Sequence, residues 1–318
     1  MSVRRAGVIL AALGALLVTP AGAAHASTGG SFAGVYTNGW GARAYQGYVP
    51  SSYRSGTPVP LLVALHGCTE TAGDFARVSR LSALAEQRGF VVVYPEQSVL
   101  ANAGRCWNWF LPTNQVRGTG EPSLIAGITA LVRSRYTVDP RRVYVTGGSA
   151  GAVMSIVMGV AYPDVYAAVG SIAGCEYACD PLGLRSPREA GDLAYREMGA
   201  RARPVPVILF QGTADLVVPP STAARIVGQW ARTDDLALGG GHMDAVADSV
   251  ESGSVPGGRT FTRLVFRADS GTTLVDEYLV DGAGHAYPGG CGCDVFGDPA
   301  GPDASALQWE FFLAHPRG

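Results

Sequence analysis

Continuous apolar runs alternate along the chain with stretches of helical period. Ala44 to Val49 (AYQGYV) alternates apolar and polar and reads as an early strand, whereas PVPLLVALHG stays apolar for seven residues from Val59 before stopping at a histidine and a glycine. Runs of the second kind suit strands buried on both faces. In ETAGDFARVSRLSALAEQRG, Phe75, Val78, Leu81, Leu84 and Ala85 recur at three and four, which predicts one helix closed by Gly89. FVVVYP follows as another buried strand.

The unit repeats. Residues 122–135 are helical in period, RVYVTG from Arg142 reads as a strand, and SAGAVMSIVMGVAYP as a small-residue helix stopped by Pro163. AAVGSIAG, VPVILFQG from Val205, FTRLVFRA and TLVDEYLVDG supply further strands, with STAARIVGQWA and ASALQWEFFLAH as helices. Strands alternating with helices predict an α/β fold whose mostly parallel sheet is covered on both faces. Ligands of such sheets sit beyond the carboxyl ends of the strands. The segments 180–203 and 234–258 fit no period and read as surface excursions.

The first residues stand apart from this pattern. MSVRR places two arginines before AGVILAALGALLVT, and small residues then lead to Ala24, His25 and Ala26. An apolar run of about 14 residues is too short to span a bilayer and predicts a secretory signal over residues 1–26. Either a Sec or a twin-arginine route accommodates it. Residues 27–318 then form one compact domain, extracellular and free of the membrane once the signal is cleaved.

Charge and cysteine narrow the chemistry. The net charge is −2 with both signs interspersed, so nucleic acid is not an expected partner. All 24 basic residues are arginine. A Ser/Lys dyad, a Schiff base, a pyridoxal-phosphate site and a lysine-dependent phosphate loop are therefore excluded. Six cysteines in an exported chain favour disulfides over a metal site, in any of fifteen connectivities.

With lysine gone, a nucleophilic serine needs histidine as its base. In VTGGSAG, Ser149 lies between a strand and a helix, the setting of a nucleophile elbow, although a chain with 43 glycines can produce GxSxG by chance. Of five histidines, His25 leaves with the signal, His315 lies near the end, His242 sits in an irregular stretch and His66 reads as a loop-forming residue. His285, on a glycine-rich loop after a late strand, remains as the base. Asp215 follows the strand ending in Phe210 and is the expected orienting acid. Asp276 sits inside a strand, Asp281 is too near His285, and Asp234 with Asp235 reads as a solvated helix end. The order Ser, Asp, His is that of serine hydrolases built on a strand–turn–helix elbow. The oxyanion would be met by the amides of Ala150, after the serine, and Cys68, in LHGCTE.

LHGCTETAGDF, GFVVVYPEQ, CWNWF, DPRRVYVTGGSAGAVMS, QGTADLVVP and GAGHAYPGG together resemble the polyhydroxybutyrate depolymerase family of secreted esterases, over about residues 45–312. That family is related to the feruloyl and acetylxylan esterases of carbohydrate esterase family one, and both have the α/β-hydrolase fold. The resemblance implies the same triad, Ser149, Asp215 and His285. It also implies a Cys68–Cys106 disulfide that would bring Trp107 and Trp109 near the site, where Trp107 is either a substrate wall or a core residue; Tyr287 of GHAYPGG is a further expected substrate contact.

The sequence departs from the family where many relatives carry a second glycine after SAG, and no linker or added substrate-binding module follows the catalytic segment. The expectation is a monomeric serine carboxylesterase without metal or organic cofactor, acting on poly(3-hydroxybutyrate)-type polyester or its oligomers. Feruloyl or acetyl esters of plant polysaccharide are the alternative substrates. Acyl transfer to a sugar, or a non-catalytic polymer-binding module on a hydrolase scaffold, are the rival activities.

Overall fold

The computed structural model describes residues 29–179 and 184–318; the secretory segment read over residues 1–26 lies outside the described residues. The elements run in the expected alternation. Strands β1 (Gly30–Asn38), β2 (Gly41–Val49) and β3 (Val59–Leu65) precede helices α1 (Ala72–Ser79) and α2 (Leu81–Arg88). Next come β4 (Val91–Pro95), α3 (Gly120–Arg135), β5 (Val138–Gly147), α4 (Ala150–Ala161), β6 (Val169–Ile172) and α5 (Pro187–Met198). The chain continues with β7 (Val207–Gly212), α6 (Ser221–Leu238), β8 (Ser249–Ser254), β9 (Thr260–Arg267) and β10 (Thr273–Val280). Short strands β11 (Tyr287–Pro288) and β12 (Gly297–Asp298) pair with each other before α7 (Ala304–Ala314).

Ten strands form one sheet in the order β1-β2-β4-β3-β5-β6-β7-β10-β9-β8. From β4 through β10 the pairing is parallel, and two antiparallel strands close each edge. β4 is buried at every position and β3 at all but its first, as strands covered on both faces must be. One core layer packs Ile125, Ile128, Met154, Ile156 and Trp230 of α3, α4 and α6 against the sheet. The other packs Phe75, Leu81, Trp309 and Phe312 of α1, α2 and α7. Helix α4 is buried all round, which its largely apolar, small-residue sequence permits; its one polar side chain, Ser155, donates to the Gly151 carbonyl (2.8 Å).

Three expectations are corrected. The helix predicted across residues 70–89 is two helices, because Arg80 takes the left-handed conformation at φ 56°; Gly89 (φ 75°) does close the second. The stretch after residue 183 holds α5, which opens with a reciprocal cap: Ser186 Oγ accepts from the Glu189 amide while Glu189 Oε2 accepts from the Ser186 amide. Asp234 is not solvated. It is fully buried near the end of α6, accepts from the Val205 amide at 3.0 Å, and burial pushes its carboxyl well above the usual range.

Candidate active site

Four loops at the carboxyl ends of the parallel strands β3, β5, β7 and β10 carry the expected site residues. After β5 the chain turns at Ser149 into α4, and Ser149 holds φ 52° and ψ −120°. A non-glycine residue in this region is strained, and here the hydrogen bonds on both sides enforce it. Ser149 donates its amide to the Ile172 carbonyl (2.8 Å), and its own carbonyl accepts from the Ala152 and Val153 amides. The flanking glycines are needed for space. A Cβ on Gly151 would lie 2.1 Å from the Leu65 oxygen, and one on Gly147 would lie 2.4 Å from the Gly151 carbonyl carbon.

The loops after β7 and β10 are joined. The Ala214 amide donates to the Ala283 carbonyl (2.9 Å) and the Gly282 amide to Thr213 Oγ1 (2.8 Å). Gly212 permits this contact, since a Cβ there would meet the Ala283 oxygen at 2.4 Å. Asp215, at 2% exposure, accepts at Oδ1 from the Val217 and Val218 amides (2.8 and 2.9 Å) and at Oδ2 from Gln211 Nε2 (3.3 Å). A carboxylate surrounded by donors acts as an acceptor, so His285 Nδ1, 2.8 Å from Oδ2, is the donor. The other ring nitrogen, Nε2, is thereby the basic one.

The loop after β3 is held on every side. Cys68 is disulfide-bonded to Cys106, as the family resemblance implies, and the Thr69 amide donates to the Gly104 carbonyl (2.7 Å). The Gly67 amide donates to Glu70 Oε2 (2.7 Å), and His66 Nδ1 donates to the Gly67 carbonyl (2.7 Å). His66 Nε2 accepts from the Gln97 amide, which fixes the tautomer, and burial lowers the pKa of this imidazole. In a trans peptide the carbonyl and the next amide point in opposite directions. Holding the Gly67 carbonyl therefore sets the direction of the Cys68 amide. His66 is thus a loop-forming residue, as its sequence position suggested.

Ser149, His285, Cys68 and Tyr287 line one cavity of about 250 Å³, shared with Gly67, Glu70, Phe75, Val78, Ile172, Val217 and Phe296. The Ser149 hydroxyl and the His285 imidazole share this space without a direct hydrogen bond, and Ala150 begins α4 immediately behind the serine. The lining is mostly apolar. Trp107 does not line it: the indole is fully buried and donates from Nε1 to the His66 carbonyl (3.1 Å), so it props the loop from the core. Tyr287 does, edge-on to Phe75 and with its hydroxyl on Ser305 Oγ (2.8 Å).

Several lining residues escaped the sequence reading. Phe75 and Val78 counted only as a helix's core face, and Phe296 carried no pattern at all. Glu70 had a visible sign, an acid next to the LHGCT turn. The remaining cysteines pair as Cys175–Cys179 and Cys291–Cys293, which uses both close-spaced pairs as disulfides, not as metal ligands.

Residues 44–240 match the profile of a family described as Esterase PHB depolymerase. Poly(3-hydroxyalkanoate) depolymerase C of Paucimonas lemoignei is 37% identical over 248 residues, which cover 74% of this chain and 57% of the depolymerase. Feruloyl esterase B of Neurospora crassa is 32% identical over 261 residues, covering 76% of this chain and 82% of that protein. Among solved structures, an acetyl xylan esterase from Aspergillus awamori superimposes with a TM-score of 0.67 at 22% identity, covering 86% of this chain and 94% of the other. At that identity the likeness is one of fold.

Proposed function

Since the chain belongs to the Esterase PHB depolymerase family and has the α/β-hydrolase fold, we propose that it is a secreted serine carboxylesterase acting through an acyl-enzyme. The observation that carries this reading is the Asp215–His285 hydrogen bond opening onto the cavity that Ser149 lines from a strained elbow. Ser149 Oγ attacks the ester carbonyl while His285 Nε2 takes its proton. The amides of Cys68 and Ala150 meet the developing oxyanion, and among the described residues neither amide is engaged by another group. The imidazolium, stabilised by Asp215, returns the proton to the departing alcohol. A water, deprotonated by His285, then releases the acid.

The substrate proposed is a hydroxyalkanoate polyester or its oligomers. Depolymerase C is the relative with the higher identity of the two, and an apolar cavity suits an aliphatic acyl chain. Feruloyl esterase B supports the second reading, an aromatic or acetyl ester on polysaccharide. Clearing of a polyhydroxybutyrate suspension, measured beside ferulate release from methyl ferulate, separates the two. A fluorophosphonate probe should label the wild type and fail on Ser149→Ala. An unlabelled wild type would leave a binding module, and ester products formed with a competing alcohol would indicate acyl transfer.

A further inference from the structure

Behind the loop that carries the Cys68 amide lies a carboxyl group that the acyl-enzyme scheme does not use. Glu70 is 7% exposed and lines the same cavity as Ser149. Its Oε2 accepts from the Gly67 amide at 2.7 Å, and its Oε1 is buried without a hydrogen-bond partner. Gly67 is the spacer between this acid and the nucleophile. The point where a Gly67 Cβ would sit lies 2.9 Å from Glu70 Oε2 and 3.3 Å from Ser149 Cβ.

Two effects of Glu70 on the reaction can be separated. The hydrogen bond to Gly67 fixes the peptide that precedes the Cys68 amide, and either protonation state of the carboxyl has an oxygen able to accept it. Negative charge is different. A carboxylate this close to the nucleophile opposes the oxyanion through a short, poorly solvated path, whereas the neutral acid does not. Position is kept in both states, and repulsion acts in only one.

We propose that Glu70 is a positioning residue that holds the oxyanion loop through Gly67 as a neutral acid, and that its ionisation slows acyl transfer. The assignment rests on the serine-esterase reading. Its surroundings favour the neutral form: burial, with Asp294 and Asp74 nearby, outweighs the Gly67 amide and Arg77 and raises the carboxyl to about 7. Asp74 and Arg77 face it from α1, and Asp294 from the loop between β11 and β12. His66, on the same loop, is held neutral by burial, and His285 shares the cavity.

The test compares wild type, Glu70→Gln and Glu70→Ala by kcat and KM on p-nitrophenyl butyrate from about pH 5.5 to pH 9, with fluorophosphonate labelling and thermal midpoints alongside. Glu70→Ala should lose about 10- to 100-fold in kcat below about pH 6, and less above pH 8 where wild type is itself slowed, with KM within about twofold. Glu70→Gln, which keeps an acceptor and cannot ionise, should match wild type below about pH 6 and exceed it about 3- to 10-fold above pH 8. A Glu70→Gln to wild-type kcat ratio that does not change with pH overturns the assignment. So does a folded Glu70→Ala with wild-type kcat below about pH 6. If Glu70→Ala does not fold, the pH dependence of the Glu70→Gln ratio decides alone. A wild type that neither labels nor turns over the ester fails at the esterase reading itself and removes this assignment with it.

Discussion

His285 Nδ1 lies 2.8 Å from Asp215 Oδ2, and the aspartate reaches it across two different strand-end loops that are themselves hydrogen-bonded together. Because Asp215 also accepts from the Val217 and Val218 amides, the carboxylate can only accept from the imidazole. Asp215→Asn keeps one oxygen for those amides but turns an NH₂ toward the ring, which favours the wrong tautomer. We expect kcat on a soluble ester to fall by about 10⁴-fold while the thermal midpoint changes little, measured by steady-state kinetics and calorimetry. A loss of less than tenfold would remove Asp215 from the proposed triad.

The elbow makes a steric prediction of the opposite kind. A methyl group on Gly151 would meet the Leu65 oxygen at 2.1 Å and the His66 oxygen at 2.6 Å, both backbone atoms of the strand end. Neither can move without shifting the end of β3. Gly151→Ala should therefore cost about 3 kcal/mol or more and lower the yield of folded protein, read by denaturant unfolding. Gly118→Ala serves as a control, since its Cβ would meet nothing within 4 Å and only its positive φ of 80° penalises the change.

The parts of this site legible in sequence are those where one residue type has one physical use. Apolar runs in β3, β4 and β7 can be buried on two faces and nowhere else, so the parallel core and its strand-end loops are legible from the order of residues alone. Elimination does the same for His285, because a chain without lysine leaves the serine few bases. What sequence hides depends on three-dimensional neighbours. Helix α5 buries mainly Ala190, Gly191 and Ala194 against α6, residues too small to mark an apolar face. Trp107 and Asp234 defy their sequence positions because an indole and a carboxyl are usually half wet; here the indole donates to the His66 carbonyl, and Asp234 accepts from the Val205 amide while burial favours its neutral form.

The Cys68–Cys106 disulfide closes a loop between residues 38 apart and ties the proposed oxyanion loop to the segment before Trp107. Replacing both cysteines by alanine should lower stability by about 3 to 4 kcal/mol, chiefly by freeing the unfolded chain. It should also lower kcat more than it raises KM, since the Cys68 amide loses one of its supports. Chemical denaturation and steady-state kinetics report the two effects separately. Unchanged kcat would mean that His66 and Glu70 suffice to hold the amide.

Two exposed apolar side chains stand next in sequence to residues that line the cavity. Leu216 is 97% exposed beside Val217, which lines the cavity, and Val295 is 84% exposed beside Phe296, which also lines it. If the substrate is a solid polyester, these side chains adsorb to its surface. Leu216→Ser with Val295→Ser should then slow clearing of a polyhydroxybutyrate suspension about tenfold while leaving p-nitrophenyl butyrate turnover near wild type. Equal effects on both substrates would argue against adsorption and for a soluble ester.

Glu277 predicts how stability depends on pH, away from the site. It lies on β10 between β7 and β9 at 5% exposure, and burial raises its carboxyl from 4.5 to about 7. A folded-state pKa above the unfolded value means that the fold binds the proton more tightly. The neutral acid is therefore tolerated below about pH 4.5, and stability is lost as pH rises through 7, where ionisation would strand a charge in the core. Glu277→Gln removes this dependence. Compared with wild type, it should gain up to about 3 kcal/mol on going from pH 4.5 to pH 8, read from denaturant midpoints at constant salt. A stability difference that stays flat across that window would show that water or a neighbouring group reaches the carboxylate in the folded state.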